Sequence, residues 1–363
     1  MTSPLADPSL ADLLPPAALN AVRENEPMSR HTTLRVGGPA RYFWAVNDVE
    51  QLADALPKIS AAGVPYLLVG HGSNLLFSDH GFSGIVIQNR CKQTRIDPVS
   101  GAVVSECGVS LGSLFAQTQR VGLSGLEWAI GIPGTVGGAL VSNAGAYRGN
   151  IGPLVRSVRA FHAGQVADYP PEWLGFAYRD SRLRAENPPR TVILSATLAL
   201  TPGADADAVL ASAKRYQAER RQKQPLEPSA GSFFKNVNDA ALAARFDDLA
   251  PALRAAGVVP TGFLSMRAGC LGWREGGAMV SEKHGNFLVN AGGATAADFR
   301  RLADRVKARV FEFCGARLDE EVLSVGEWGV EAGELTREEE NRTRRLEILD
   351  ELQAQAQELN MGY

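Results

Sequence analysis

The sequence predicts an α+β protein of more than one domain, and three observations predict it. A strand–helix–strand unit opens the patterned part of the chain, a β-rich stretch of alternating residues fills its middle, and a long helix with a single apolar stripe lies near its end. At 363 residues, 45% hydrophobic and 21% charged, the chain has room for roughly two or three domains of about 100–150 residues each. A net charge of -3 gives no nucleic-acid footprint and no electrostatic membrane anchor.

The first 27 residues, rich in Pro, Ala and Leu, lack a signal peptide's basic and long apolar regions. They are expected to form a poorly ordered leader. Arg41–Val46 has strand composition, Asp48 can cap a helix over Val49–Ala61, and VPYLLVG is an apolar run that enters the turn-rich loop GHGSN. That loop sits at a strand's C-terminal edge, where ligands bind in α/β sheets.

From about Gly84 to Leu200 the strand candidates are IVIQN, GAVVSECG, VRSVRAFHAGQVADY and TVILSATLAL. Ala163-Gly164 splits the third into a hairpin. A helix is expected from about Ala204 to Lys223, stopping at Pro225. A third region starts at PSAGSFFKN and ends in a helix over Ala296–Phe313, with Phe299, Leu302, Val306, Val310 and Phe313 on one face.

The segment from Glu331 onward has nine acidic and four basic residues. Thr336 and Glu339 have capping-box spacing, and Leu346, Leu349, Leu352 and Leu359 share a side. It reads as a charged amphipathic helix suited to a solvated face or a protein contact rather than to chemistry. Leu123–Val141, the most apolar window, is broken by Glu127, Pro133 and glycines, so membrane insertion is not expected. Cys91, Cys107, Cys270 and Cys314 are scattered without metal-ligand spacing, so no metal site is expected. The reading is of a cytoplasmic protein.

Chemistry is suggested by the glycines. GIPGTVGGALVSNAGAYRGN, from Gly131 to Asn150, and GHGSN, from Gly70 to Asn74, are glycine-dense without a G-x-G-x-x-G or Walker pattern. Bare backbone of this kind can bring several N–H donors to a pyrophosphate. A single such loop would be read as tight turns, but two favour an anion cradle.

In order along the chain, TLRVGGPARYF, VGHGSNLLF, GIPGTVGGALVSNAGAY, FAYRDS, RRQKQP, AGSFFKN, GGAMVSEKHGNFLVN and RLDEEV resemble the successive motifs of the UDP-N-acetylenolpyruvoylglucosamine reductase family. The resemblance covers about residues 28–326. It implies a two-subdomain FAD-binding fold of the vanillyl-alcohol-oxidase (PCMH) type, followed by a C-terminal α+β substrate-binding domain. The corresponding division is 28–83, completed by about 317–330, for the first subdomain, 84–228 for the second, 229–316 for the substrate domain and 331–363 for the tail. The implied reaction reduces UDP-N-acetylglucosamine enolpyruvate to UDP-N-acetylmuramate, with non-covalent FAD as cofactor and NADPH as co-substrate. The short connection Thr201–Gly203 resembles the branch without a tyrosine-bearing lid loop.

The resemblance also implies residue roles. Gly70, His71, Gly72, Ser73, Asn74, Gly131, Pro133, Gly134, Thr135, Gly137, Gly138, Asn143 and Gly145 would bind the cofactor. Ser232 would donate a proton, and Arg179 with Glu321 would hold and polarise the substrate carboxylate. Tyr147, Arg220, Lys223, Lys235, Asn236, His284 and Asn286 would meet the UDP-sugar, whose diphosphate calls for Arg and Lys donors. Read without the motifs, Ser232 is a turn hydroxyl, Arg179 a surface ion-pair partner, Glu321 part of a solvated acidic run and His284 a loop-bracing histidine. The chain has Asp319-Glu320-Glu321 where the family usually has Glu-Pro-Glu, which leaves Glu320 and Glu321 both eligible. Val237 replaces a common proline, and a usual lysine is missing near Cys270 and Leu271. Two rival functions share these features: a flavin-dependent oxidase of a sugar or hydroxy acid, and a non-catalytic flavin or UDP-sugar binder.

Overall fold

Alternating and continuous apolar runs sort themselves into two sheets in the computed structural model, which describes residues 9–184 and 191–329. The first sheet uses β1 (Val22–Pro27), β2 (Pro39–Val46), β3 (Tyr66–Val69) and β5 (Phe82–Asn89), in the order β1-β2-β5-β3, with β4 (Leu75–Phe77) set apart. The strands β2 and β3 run parallel to β5, and β1 is antiparallel at the edge. Helix α1 (Val49–Ala61) begins where Asp48 accepts hydrogen bonds from the N–H groups of Glu50 and Gln51. Its buried face, Leu52, Leu56 and Ile59, packs with Trp44, Ile85 and Ile87.

Two expectations change here. The expected leader is structured from Ser9: single helical turns at Leu10–Leu13 and Pro16–Leu19 lead into β1. Leu13, Leu14 and Ala18 are buried in the same core as α1, so apolar burial orders a segment whose composition shows little periodicity. The run IVIQN belongs to the first sheet, not to the β-rich middle. Every residue of β5 except Ser83 is buried, as suits a parallel strand covered on both faces. The first sheet therefore extends to Asn89 rather than stopping at residue 83.

The second sheet is antiparallel: β6 (Thr94–Ile96), β7 (Ala102–Glu106), β8 (Val155–His162), β9 (Gln165–Tyr169) and β10 (Val192–Ala199), in the order β9-β8-β10-β7-β6. Ala163 and Gly164, both at positive φ, close the β8–β9 hairpin. Helix α2 (Leu111–Arg120), the short α3 (Val136–Val141) and α4 (Ala206–Lys223) pack on this unit. Asp205 caps α4, and only residues 200–205 join it to β10.

In the third region a meander of Arg274–Glu275, Ala278–Val280 and Leu288–Asn290 meets α5 (Ala296–Cys314). A capping box between Thr295 and Asp298 starts α5. Phe299, Leu302, Val306 and Val310 are fully buried, and Phe313 lies at the margin against Phe246. The chain then returns: Leu323–Val325 pairs in parallel with β4. Asp79 accepts from the N–H groups of Ala296 and Ala297 at 2.8 and 2.9 Å, which fastens α5 to the first sheet's unit.

The four cysteines are buried and free, and burial, with help from Glu106, pushes the Cys91 thiol up to about 12. Among the described residues no His, Cys, Asp and Glu cluster could hold a metal ion, and no helix is long and apolar enough to cross a membrane. The charged tail, with its leucine stripe and capping box, lies outside the described residues.

Candidate active site

The loop after β3 and the loop before α3 face each other across a cavity of about 540 Å³. They touch directly: the Ser73 hydroxyl donates to the Pro133 carbonyl, and a Cβ on Gly70 would stand 2.5 Å from Thr135 Oγ1. Gly72 has φ +62°, and its Cβ would be 2.0 Å from the His31 carbonyl oxygen. Only glycine fits there. Gly134 is different, because a Cβ on it would meet nothing nearer than Ser73 Oγ at 3.4 Å.

Among the described residues, the backbone N–H groups of His71, Gly72, Ser73, Gly134 and Thr135 donate to no protein acceptor. All five residues line the cavity, with apolar Leu67, Val69, Val141 and Ile193. Converging free donors beside an apolar slot fit the pyrophosphate and flat rings of FAD. Of the residues expected to bind the cofactor, Gly70–Asn74, Gly131, Pro133–Thr135, Gly137, Gly138 and Gly145 line this cavity. Asn143 does not. Its amide donates to the Ala177 carbonyl at 2.9 Å and accepts from the Gly152 N–H at 3.1 Å, so it braces the turn that carries Arg179. His71 sits on the rim, and its pKa is lowered by burial and then by Lys92.

Ser232, Arg179 and Glu321 line the same cavity. Phe233 N–H donates to the Asn286 carbonyl at 2.8 Å and Phe234 N–H to its side-chain oxygen at 2.9 Å, while the Asn286 amide donates back to Phe234 O at 2.8 Å. Glu321 N–H donates to Phe233 O, and Lys235 N–H to Asp319 O. The segments bearing Ser232 and Glu321 are thus neighbours along one hydrogen-bonded frame.

Arg179 occupies a tight turn, with Ala177 and Asp180 exchanging main-chain hydrogen bonds and Arg179 at φ +52°. Its Nε lies 2.9 Å from Glu321 Oε1 but outside the hydrogen-bonding direction, and its Nη2 donates to Gly145 O. The contact is an ion pair with spare donor capacity. Burial pushes the Glu321 carboxyl above the usual range, although Arg179, Arg184 and Lys235 pull it down. Glu320 is held elsewhere by Arg300 and Lys307, so Glu321 is the carboxylate of the pair that meets the cavity.

The seven expected UDP-sugar contacts divide. Arg220 lines the cavity: its Nη2 donates to Trp128 O at 3.2 Å, its buried Nε has no partner, and burial lowers its pKa. Tyr147 stands behind it, stacked on Tyr216 at 4.1 Å and lying 5.4 Å from the Arg220 guanidinium. Lys235 lies 4.0 Å from Asp180, and Asn236 accepts from Thr261 N–H and interacts with Tyr178. Lys223 is exposed and pairs with Glu219 at 3.4 Å. Of the seven only Arg220 lines the cavity, and His284 and Asn286 face the Ser232 segment instead. His284 Nδ1 accepts from Asn286 N–H at 3.2 Å, its ring packs against Phe287, and burial lowers its pKa. Together the two brace the Ser232 segment.

Two residues escaped the sequence reading. Arg184, buried, donates to the carbonyls of Glu321 and Glu320 at 2.7 and 3.2 Å. Its signal was the arginine density of YRDSRLR. Lys283 donates to the carbonyls of Arg221 and Gln224 at 3.0 and 2.8 Å and so tethers the end of α4 that carries Arg220. Nothing in its local pattern marks it.

Known proteins are similar to this chain in sequence and in fold. Residues 40–164 match the FAD binding domain, and residues 222–325 match the UDP-N-acetylenolpyruvoylglucosamine reductase, C-terminal domain. The UDP-N-acetylenolpyruvoylglucosamine reductase of Heliobacterium modesticaldum is 39% identical over 310 residues, 84% of this chain and 91% of that protein. That of Geobacter sulfurreducens is 40% identical over 312 residues, 84% and 94% of the two chains. The crystal structure of the reductase from Thermus caldophilus superposes with a TM-score of 0.66 at 34% identity, covering 84% of this chain and 99% of that one.

Proposed function

Since this chain belongs to the UDP-N-acetylenolpyruvoylglucosamine reductase family, we propose how its own residues carry that family's reaction. It is an FAD-dependent oxidoreductase, a UDP-N-acetylmuramate dehydrogenase, that uses NADPH to reduce UDP-N-acetylglucosamine enolpyruvate to UDP-N-acetylmuramate. The product feeds peptidoglycan synthesis, and through it cell-wall biogenesis, cell shape and cell division.

When bound, FAD supplies hydride for the enolpyruvyl double bond, with NADPH as the source of electrons. The free N–H groups of the glycine loops hold its pyrophosphate. Arg179 binds the substrate carboxylate through a guanidinium only partly engaged by Gly145 and Glu321. Glu321, protonated in the presence of that second carboxylate, donates a hydrogen bond to it and stabilises charge developing there. Ser232 gives its hydroxyl proton to the carbon that does not receive hydride. Arg220 and Lys235 supply positive charge for the diphosphate.

The observation that carries this reading is the convergence of Ser232, Arg179 and Glu321, far apart in sequence, on one cavity with the glycine loops. The test is NADPH oxidation by the purified yellow protein. Oxidation should depend on UDP-N-acetylglucosamine enolpyruvate and yield a product two mass units heavier, the gain of one hydride and one proton. Oxidation at the same rate without that substrate, with oxygen consumed, would identify an oxidase instead. The use of NADPH and a nucleotide sugar supports a cytoplasmic site of action, and the charged pattern after Glu331 supports a protein contact for the tail.

A further inference from the structure

Glu320 is turned away from the cavity and is 7% exposed. It accepts from Arg300, with Nη1 at 2.8 Å from Oε2 and Nη2 on Oε1, and lies 2.5 Å from Lys307 Nζ. Arg300 also donates to Asp304 at 3.1 Å. Positions 300, 304 and 307 of α5 share a face, so one side of the helix presents a prepared socket for a carboxylate. Burial alone would raise the Glu320 carboxyl, but Arg300 and then Lys307 hold it below the usual range.

Glu320 and its neighbour Glu321 are also gripped through their backbone. Arg184 donates to both their carbonyls, Asn74 of the glycine loop donates to Glu321 O at 3.1 Å, and Glu321 N–H donates to Phe233 O at 2.9 Å. A buried ion cluster adds little net stability compared with apolar packing, and one of its attested uses is to fix geometry.

We propose that Glu320, held by Arg300 and Lys307, is a positioning residue for substrate reduction: it locks residues 320 and 321 onto α5 so that the Glu321 carboxylate stands opposite Arg179 and beside the Ser232 segment. The proposal rests on the roles assigned above to Glu321 and Arg179. Glu320 itself touches neither substrate nor cofactor.

The test separates the two half-reactions on the flavin-loaded enzyme under anaerobic conditions, using Glu320→Gln, Arg300→Lys and, as control, Glu321→Ala. For Glu320→Gln, flavin reduction by NADPH stays within about twofold of the parent. Reoxidation by saturating UDP-N-acetylglucosamine enolpyruvate slows about tenfold or more, a change in the maximal rate rather than in the substrate concentration needed. Arg300→Lys, which keeps the charge beside Glu320, retains most of the parent reoxidation rate, and a loss as large as that of Glu320→Gln would overturn charge as the holding force. If Glu320→Gln lowers only the melting temperature, or slows both half-reactions equally, the positioning role is overturned while the role of Glu321 stands. If Glu321→Ala reoxidises at the parent rate, the roles beneath the proposal fail, and the proposal with them. Should Glu320→Gln not fold, Lys307→Gln, at the more exposed end of the cluster, must show the same split at smaller size, and its absence overturns the proposal.

Discussion

Glu321 donates its main-chain N–H to the Phe233 carbonyl at 2.9 Å, which ties the carboxylate to the residue next to the Ser232 hydroxyl. The Ser232 hydroxyl and the Glu321 carboxylate, from chain segments almost ninety residues apart, therefore sit on one hydrogen-bonded frame. Because Leu323–Val325 continues into the pairing with β4, that frame is also registered to the strand that follows the GHGSN loop. The cavity is thus assembled by backbone hydrogen bonds, and its side chains inherit their spacing from the fold.

Arg179→Lys should keep the charge and the turn but lose the planar fork. The Gly145 contact and a two-pronged grip on the substrate carboxylate cannot both be made by an ammonium group. Reoxidation by substrate should fall roughly a hundredfold, while flavin reduction by NADPH is spared. A parent-like rate in rapid-mixing measurements would remove Arg179 from the site.

The two loop glycines should fail in different ways. Gly72→Ala places a methyl 2.0 Å from the His31 carbonyl at φ +62°, which costs at least about 2 kcal/mol and lowers the melting temperature. Gly134→Ala meets only Ser73 Oγ at 3.4 Å, so the fold should persist while the methyl narrows the cradle and FAD content drops. Full flavin content in Gly134→Ala would show that the cofactor does not approach that backbone.

Glu321 predicts a proton uptake. Its native pKa is raised above 4.5, by burial first, so the native state holds this proton more tightly than the unfolded chain. Its contribution to stability is therefore present below 4.5 and is lost as pH rises through the raised value. A bound substrate carboxylate adds negative charge and raises that value further. Mixing with substrate in weak buffer, at a pH between the free and bound values, should consume up to one proton per site, and Glu321→Gln should abolish the uptake. Equal uptake by parent and variant would assign the proton elsewhere.

Where local rules decide, the sequence was readable: Asp48 caps α1, α5 starts at Ala296 as its apolar stripe implies, and Ala163-Gly164 closes a hairpin. Where partners distant in sequence decide, it was not. Residues 9–27 are ordered by burial against α1, and β5 joins the first sheet because its neighbours β2 and β3 cover both edges. Asn286 lies in a motif of the site yet bonds Phe233 and Phe234, and His284 in turn accepts from Asn286, since a motif marks a neighbourhood and not the direction of a side chain. Which of Glu320 and Glu321 lines the cavity depends on cations of α5, Arg300 and Lys307, which hold Glu320 away from it.

The most direct test of the account is Ser232→Ala, studied in anaerobic rapid-mixing experiments that read each half-reaction by flavin colour. The account predicts that NADPH bleaches the variant at close to the parent rate, and that the colour returns several orders of magnitude more slowly when UDP-N-acetylglucosamine enolpyruvate is added. Colour returning at the parent rate, or an equal loss in both steps, would contradict Ser232 as the proton source.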